Sequence, residues 1–175
     1  PPIQCVPLPL EVADKEARKD AITAYLDNVP PEQITSEDDL LTILGAAFAD
    51  EHIAARRRAL GLAKAPWAAE WARDFLDSAP DRKLVVFAHH REVIEALAAD
   101  LRGYGVVTLD GATRAADRSA HVAAFQNDPT VRVFVGQTQA AGTSITLTAA
   151  SDVLLVEPDW TPVNNYQAIS RCHRI

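Results

Sequence analysis

The sequence has 175 residues, of which 48% are hydrophobic and 23% are charged, and its formal net charge at pH 7 is −7. This length suits one ordinary domain, alone or with an appendage, and it suffices for a hydrophobic core. No apolar run approaches the roughly 18 residues of a membrane span, and Cys5 and Cys172 lack the C-x-x-C spacing of a zinc site. We therefore expect a soluble protein with no membrane partner and no metal site, from a reducing, intracellular setting.

Residues 1–51 form the acidic part of the chain. They hold 11 of the 24 acidic residues and only 3 of the 17 basic ones, so the remaining residues are close to neutral. Within them we predict a short edge strand at 3–10 and an amphipathic helix at 11–27. The segment is interpreted as an acidic connector, and the sequence does not indicate what it contacts. Because the chain has neither an initial Met nor a signal peptide, we expect an excised piece of a longer protein.

A helical pattern extends from Leu40 to Ser78. We expect Pro66 to interrupt it, because proline inside a helix removes a hydrogen bond and clashes with the preceding turn. Residues 52–80 are interpreted as a helical lead-in to the next domain. This lead-in carries the basic sequence "ARRRALGLAK", which we interpret as a solvated helix face, since three consecutive helical residues cannot all face one partner.

Beyond residue 81 apolar runs alternate with helical patterns. The apolar runs predict four buried strands, at 83–88, 106–109, 131–136 and 152–157. The helical patterns lie at 90–105 and 113–126, with Thr113 as the expected N-cap, and a last helix begins near Pro162. Alternation of this kind predicts an α/β fold, in which a parallel sheet is covered by helices on both faces. We assign residues 81–175 to this domain.

Each predicted strand is followed by a polar or glycine-bearing loop. The four loops read "AHH", "DGAT", "GQTQAAGTS" and "EPDWTP" in chain order. In parallel sheets, ligands gather beyond the carboxyl ends of the strands. The sequence therefore favours a nucleotide or polyanion site at this edge of the sheet.

The end of the chain, "NYQAISRCHRI", places two arginines at helical spacing. On a continuous helix, Gln167, Arg171 and Arg174 share one face. Together with the preceding residues, this segment carries a family resemblance: residues 138–175 resemble motifs V and VI of superfamily 2 helicases of the Swi/Snf type. Residues 138–175 are most similar to the annealing-helicase (HARP-like) branch of that group. Residues 53–76 and 83–101 resemble the same branch, and residues 109–135 fit between.

The resemblance implies a second RecA-like lobe, preceded by a mostly helical connector and truncated at motif VI. In that family, the last helix of this lobe presents two arginines across a cleft to ATP, which is bound with Mg²⁺ on the first RecA-like lobe. Arg171 and Arg174 match these arginines, and Gln167 matches the glutamine that orients the helix. An arginine directed at the γ-phosphate is worth roughly 10³ to 10⁵ in rate.

The resemblance also assigns the loop "TQAAGTSITL". Gly142 and Ser144 match positions at the nucleotide cleft, and Thr138 matches a position that contacts the DNA backbone. Ser144 departs from the glycine common in relatives, and Thr146 replaces a common asparagine.

Further DNA contacts are expected from the first two loops. His89 and His90 correspond to motif IV, and we expect a helix-start contact to DNA phosphates from one of them. Thr113 could offer the amide-rich N-terminus of its helix to a phosphate, while Arg118 is expected to contact either a phosphate or an internal carboxylate. Trp160 is interpreted as a packing anchor beneath motif VI.

The phosphate-binding motif G-x-x-x-x-G-K-[ST] does not occur in the sequence. We therefore expect ATP and Mg²⁺ to be bound only in an intact two-lobe protein, and this piece alone to be inactive. The expected partners are double-stranded or branched DNA and the first lobe. The expected location is the cytoplasm of a prokaryote or phage-infected cell, or a nucleus. Two alternatives stay open: a non-catalytic module that binds nucleic acid or protein, and a free-standing α/β nucleotide-binding enzyme.

Overall fold

The structure is a computed structural model and describes residues 50–141 and 145–172. The elements predicted in residues 1–49 lie outside the described residues, as do Gly142, Ser144 and Arg174. The chain divides into two compact units, Pro1–Ala63 and Lys64–Ile175. The sheet and the core described below belong to the second unit.

The first described element is a single long helix, α1 (Asp50–Ser78), and the expected boundary at Pro66 is wrong. Pro66 lies within the helix on its exposed side, so the carbonyl group that loses a donor there is not buried with it. The opposite side carries the buried residues Ala65, Ala69, Ala72 and Leu76. Their spacing of four, three and four residues forms one helical stripe, which packs into the core past the proline. Among the basic residues near Pro66, Arg58 is exposed and Arg57 and Lys64 are partly buried.

The four predicted strands form one parallel sheet. They are β1 (Leu84–Ala88), β2 (Val106–Leu109), β3 (Val133–Gln137) and β4 (Asp152–Leu155). Their order across the sheet is β2-β3-β1-β4, so β1 pairs with β3 on one side and with β4 on the other. All five residues of β1 are buried, as expected for a central parallel strand.

Helices connect the strands and cover both faces of the sheet. They are α2 (Arg91–Asp100), α3 (Ala115–Asn127), the short α4 (Thr138–Ala141) and α5 (Pro162–Ile169). Alternate residues of β1 belong to two hydrophobic clusters. Leu84 and Val86 pack with α1 and α2, whereas Val85 and Phe87 pack with residues of α3 and α5. The predicted α/β fold is confirmed. Among the described residues, no helix has the length and hydropathy that a membrane crossing requires.

The start of α3 differs from the prediction. The helix begins at Ala115 with Arg114 as its N-cap residue, and no side chain caps it. Thr113 is therefore not the N-cap, because its hydroxyl is used inside the preceding loop, where it accepts a hydrogen bond from the Asp110 N–H at 2.9 Å. The competition between a turn and a cap for the same hydroxyl explains the error.

Gly105 ends the turn between α2 and β2. Its φ of 69° lies in the left-handed region, which side chains other than glycine rarely adopt. A Cβ atom at this position would lie 1.9 Å from the carbonyl oxygen of Thr130. Only glycine satisfies both constraints. The close approach places the start of β2 against the segment that leads into β3.

Arg132 fixes the end of α1 to the sheet. Its Nη2 donates hydrogen bonds of 2.8 Å to the carbonyl oxygens of Leu76 and Ala79. Carbonyl groups at the end of a helix lack partners within the helix, and a guanidinium there also faces the negative end of the helix dipole. The residue directly before β3 thus holds the C-terminus of α1.

Candidate functional site

The polar loops that follow the four strands all lie at one edge of the sheet. Because the strands are parallel, their carboxyl ends point the same way, and the register aligns Ala88 with Gln137 and Leu109 with Gly136. This edge is called the carboxyl rim below, and it consists of residues 89–90, 110–114, 137–141 and 157–161. The expectation that Thr138, Thr113 and the two histidines lie along one rim agrees with the structure.

Gln137, the last residue of β3, links two of these loops. Its Oε1 accepts a hydrogen bond of 3.0 Å from the Gly111 N–H, and its Nε2 donates one of 3.0 Å to the His89 carbonyl oxygen. The loop after β2 and the loop after β1 are therefore held by one side chain.

Thr138 follows directly and is buried, with 2% of its surface exposed. Its hydroxyl donates to the carbonyl oxygen of Ala88 at 3.2 Å and so attaches the start of α4 to the end of β1. The contact with DNA stays a prediction for this residue, whose hydroxyl is engaged inside the protein.

The loop after β2 is organised around the carboxylate of Asp110. Oδ1 accepts hydrogen bonds from the N–H groups of Ala112 and Thr113 and from the Thr113 hydroxyl, at 2.8–3.0 Å. Burial acts to raise the pKa of the Asp110 carboxyl, but these hydrogen bonds and the nearby Arg91 guanidinium outweigh it and hold the pKa below its ordinary value. The loop therefore carries a stable negative charge at its base.

The two arginines beside this loop have different surroundings. Arg118 is partly buried and donates to the carbonyl oxygens of Thr113 and Asp110, at 3.0 and 3.2 Å. Arg91 is exposed at the start of α2 and pairs with Asp110 Oδ2 at 3.2 Å. Both of these Arg118 hydrogen bonds go to carbonyl oxygens rather than to a carboxylate. The alternative of a contact between Arg118 and a DNA phosphate stays a prediction.

His89 and His90 are bound by a buried carboxylate, that of Glu157. Glu157 follows β4 and is 4% exposed. Its Oε2 accepts hydrogen bonds of 2.9 Å from the N–H groups of both histidines, and its Oε1 lies 2.6 Å from His90 Nδ1. Glu157 thus occupies the N-terminus of α2, the place where helices commonly bind a phosphate. The backbone amides of the two histidines are engaged by the protein itself.

The loop "EPDWTP" is closed by Asn165 of α5. The Asn165 side chain accepts from the Asp159 N–H at 2.7 Å and donates to the Asp159 carbonyl oxygen at 2.9 Å. Trp160, between these contacts and the helix, is 75% exposed. The interpretation of Trp160 as a packing anchor is therefore wrong: the hydrogen bonds of Asn165, and not indole burial, hold the loop on the helix.

Arg171 lies just beyond α5. The helix ends at Ile169, and the following turn tightens, since the Arg171 N–H bonds to the Ala168 carbonyl oxygen three residues back. The expectation of one continuous helical face from Gln167 through Arg171 therefore fails at its second member, because Arg171 belongs to this turn. Gln167 is exposed on α5 and Arg171 is partly buried.

The backbone of Arg171 is also held from outside its own helix. Its carbonyl oxygen accepts a hydrogen bond of 2.9 Å from the Leu147 N–H, in the segment 145–149 between α4 and β4. Gln126 of α3 fixes that segment, donating to the Thr146 carbonyl oxygen at 3.0 Å and accepting from the Ala149 N–H at 2.7 Å. The position of Arg171 thus depends on α3 as well as on α5.

Cys172, beside Arg171, has the chemistry of a buried thiol. Burial raises its pKa to about 12, and the Asp152 carboxylate adds to the effect. A thiol with this pKa stays protonated near neutral pH and is a weak nucleophile. We therefore do not expect Cys172 to act as a nucleophile in the candidate site.

Sequence reasoning missed four residues that organise the site, namely Gln137, Glu157, Asn165 and Gln126. Each holds a loop through side-chain hydrogen bonds to the backbone of another segment, which lies six residues away for Asn165 and 20 or more residues away for the other three. The sequence does place Gln137 and Glu157 at the ends of predicted strands, and this position could have identified them, because such residues face the neighbouring loops in a parallel sheet.

Comparison with known proteins shows to which family the chain belongs. The model of the helicase conserved C-terminal domain matches residues 67–175. A Caenorhabditis elegans protein named SWI/SNF-related matrix-associated actin-dependent regulator of chromatin subfamily A-like protein 1 homolog is 40% identical over 103 residues, which are 58% of this chain and 15% of that protein. The human lymphoid-specific helicase is 35% identical over 95 residues, 53% of this chain and 11% of that protein. The chain thus spans only a small part of these relatives.

Two solved structures share the fold. One is the C-terminal part of the Fun30 ATPase domain, with a TM-score of 0.59, 20% identity, and coverage of 93% of this chain and 56% of that one. The other is the Sulfolobus solfataricus SWI2/SNF2 ATPase C-terminal domain, with a TM-score of 0.57, 16% identity, and coverage of 91% and 81%. The fold is that of the RecA-like C-terminal lobe of such ATPases. Because the family model matches more than half of its residues, the chain belongs to the helicase conserved C-terminal domain family.

Proposed function

We propose that this chain is the second motor lobe of an ATP-dependent DNA translocase of the Swi/Snf type, in the annealing-helicase branch. The observation that carries the proposal is the position of Arg171, on a fold shared with Snf2-type ATPase lobes. Its backbone is held by Ala168 on one side and Leu147 on the other. A held backbone fixes the point from which the side chain starts, and the planar fork of the guanidinium loses little freedom for each hydrogen bond that it forms with a phosphate.

In the proposed mechanism, Arg171 and Arg174 act on ATP that is bound with Mg²⁺ by a first RecA-like lobe. Their charges would stabilise the γ-phosphoryl group as it leaves, and Gln167 would orient the helix that carries them. Gly142 and Ser144 would complete this side of the nucleotide cleft. The sequence lacks the G-x-x-x-x-G-K-[ST] motif that binds the phosphates of a nucleotide, so in this mechanism hydrolysis requires both lobes.

The carboxyl rim is the proposed DNA-binding edge. Thr138, His89, His90, Thr113 and Arg118 lie on it or support it, and double-stranded or branched DNA is the proposed partner. Repeated closing and opening of the lobes around ATP would move these loops along one strand of the duplex. Relatives named as chromatin regulators and the proposed DNA partner favour an intracellular location, which in a eukaryote is the nucleus.

One observation favours the alternative of a non-catalytic binding module. Trp160, Val163 and Tyr166 are 75%, 59% and 63% exposed, and they lie together on the loop before α5 and on α5 itself. Exposed aromatic and aliphatic residues in one place are typical of protein interfaces. In this alternative the lobe would bind a partner without contributing to hydrolysis.

The deciding experiment uses a polypeptide that contains both lobes. Arg171→Ala and Arg174→Ala should each lower DNA-stimulated ATP turnover at least about a hundredfold, since such an arginine is worth roughly 10³ or more in kcat. DNA affinity without nucleotide should hardly change. Arg→Lys should restore little, because an ammonium lacks the planar fork of the guanidinium. Arg102→Ala serves as the matched control, since Arg102 is an exposed arginine on the turn after α2.

Two results would reject the proposed role. Near-normal turnover together with a weaker, less salt-dependent DNA affinity would make that arginine a DNA contact, because a lost phosphate contact reduces the salt slope. A two-lobe protein without any ATPase activity above the no-protein blank would favour the non-catalytic module.

A further inference from the structure

The position of Gln137 in the sheet is the starting point. In the order β2-β3-β1-β4, β3 lies between β2 and β1, so the last residue of β3 faces the loops of both neighbours. The two hydrogen bonds of Gln137 use this position, one reaching Gly111 and the other His89.

The chemistry of the amide group suits this position. Gly111 presents an N–H and needs an acceptor, whereas His89 presents a carbonyl oxygen and needs a donor. The carboxamide of glutamine has one acceptor end and one donor end. A glutamate at this position would place a carboxylate oxygen against the His89 carbonyl oxygen, where two acceptors repel each other. A leucine would fill similar space but would form neither hydrogen bond.

The approach between Gly111 and Gln137 is close. A Cβ atom on Gly111 would lie 3.4 Å from Gln137 Oε1, so a side chain there would begin to crowd the amide. The loop also has an internal brace, because the Thr113 hydroxyl bonds with Asp110 in both directions. Gln137 therefore holds an already ordered loop, and it sets where that loop stands relative to the histidines.

We propose that Gln137 is a positioning residue for DNA binding: it holds the 110–113 loop and the histidine loop at the spacing that lets both contact the same DNA backbone. This inference rests on the proposed DNA-binding function of the rim. Gln137 itself does not touch the DNA, since both ends of its amide are engaged within the protein.

The test compares Gln137→Leu with Val133→Ala in the two-lobe polypeptide. Val133 is the stability control, because it is fully buried and lies at the end of β3 opposite to the carboxyl rim. DNA affinity without nucleotide is measured with a fluorescent 30-base-pair duplex over a salt series, and unfolding by urea is measured on the same samples. We expect Gln137→Leu to weaken DNA affinity about five- to tenfold, the worth of roughly one hydrogen bond, with an unchanged salt slope. Val133→Ala should lower stability at least as much and leave DNA affinity unchanged, because the cavity that it creates lies away from the rim.

A double-mutant cycle tests whether the effect is one of positioning. Thr113→Val removes the internal brace of the same loop, so Gln137→Leu and Thr113→Val together should weaken DNA binding by less than the product of their single effects. Multiplicative effects would mean that Gln137 contacts DNA on its own and would overturn the inference. Equal loss of affinity in Gln137→Leu and Val133→Ala would overturn it too, since general destabilisation would then be the cause. If the unmodified protein binds no DNA, the proposed function fails; if it binds and Gln137→Leu binds equally well, only this inference fails.

Discussion

The buried carboxylate of Glu157 allows a quantitative prediction about stability. It is 4% exposed and binds three donors, namely the N–H groups of His89 and His90 and the His90 ring nitrogen, at 2.6–2.9 Å. Glu157→Leu removes the acceptor and leaves these donors without a partner, and each unsatisfied buried donor costs about 1–3 kcal/mol. The two histidines are only partly buried, so water can reach some of the donors. We therefore expect a total loss of about 3–5 kcal/mol in the free energy of unfolding.

Glu157→Gln separates the loss of charge from the loss of the acceptor. The amide oxygen can still accept from both N–H groups, while the amide nitrogen faces His90 Nδ1 and requires the ring to change its tautomer. Charge-assisted hydrogen bonds are about twice as strong as neutral ones, so this variant should lose about 1–2 kcal/mol. The expected order of stability is wild type, then Gln, then Leu.

The measurement is equilibrium unfolding of the 175-residue chain in urea at 25 °C, with the dependence on urea fitted separately for each variant. Glu95→Gln is the control, because Glu95 lies on α2 with a side chain that is 64% exposed and pairs only at the surface, where a change of less than about 0.5 kcal/mol is expected. If the Leu variant were as stable as wild type, the cost of burying the carboxylate would equal the gain from its hydrogen bonds, and the reasoning would be wrong.

Two further predictions concern the loop of Asp110 and the turn at Gly105. The folded-state pKa of Asp110 is lowered, so its stabilisation is present above the unfolded-state pKa of about 4 and is lost as pH falls through the folded value; Asp110→Asn should flatten the acid limb of a stability-versus-pH curve, and an unchanged limb would contradict this. Gly105→Ala should lower stability by about 3 kcal/mol or more in urea unfolding, because its Cβ would overlap the Thr130 carbonyl oxygen, and a loss below about 1 kcal/mol would refute the strain argument.

The strands and their parallel arrangement could be predicted because a strand that is buried on both faces has a continuous apolar sequence. Runs such as "LVVFA" are apolar at every position, and β1 is buried at every position. The continuous helix through Pro66 could not be predicted in this way. A proline costs roughly 3 kcal/mol inside a helix, and only the tertiary packing of residues such as Ala69 and Leu76 shows what offsets that cost.

For the candidate site, the sequence could predict the location better than the contacts. Loop residues fall at the carboxyl rim because of the strand direction, which is a property of the whole sheet. Which polar groups are already engaged depends on partners far away in the chain, as in the contact between Glu157 and His90. Thr113 shows the same limit at short range, since one hydroxyl could cap the helix or bind Asp110, and the two options differ little in energy.

The place of β1 at the centre of the sheet has a consequence for the order in which the protein forms during synthesis. β1 is made first, yet its hydrogen-bonded neighbours are β3 and β4, and its register partner for Leu84 is Val133. β2, the next strand to leave the ribosome, pairs only with β3. At synthesis rates of roughly 5–20 residues per second, a fully apolar strand therefore waits for seconds without a neighbour, until β3 inserts between β2 and β1. During that interval its covering helices, α1 and α2 on one face and then α3 on the other, are the protection against aggregation that the described chain itself provides.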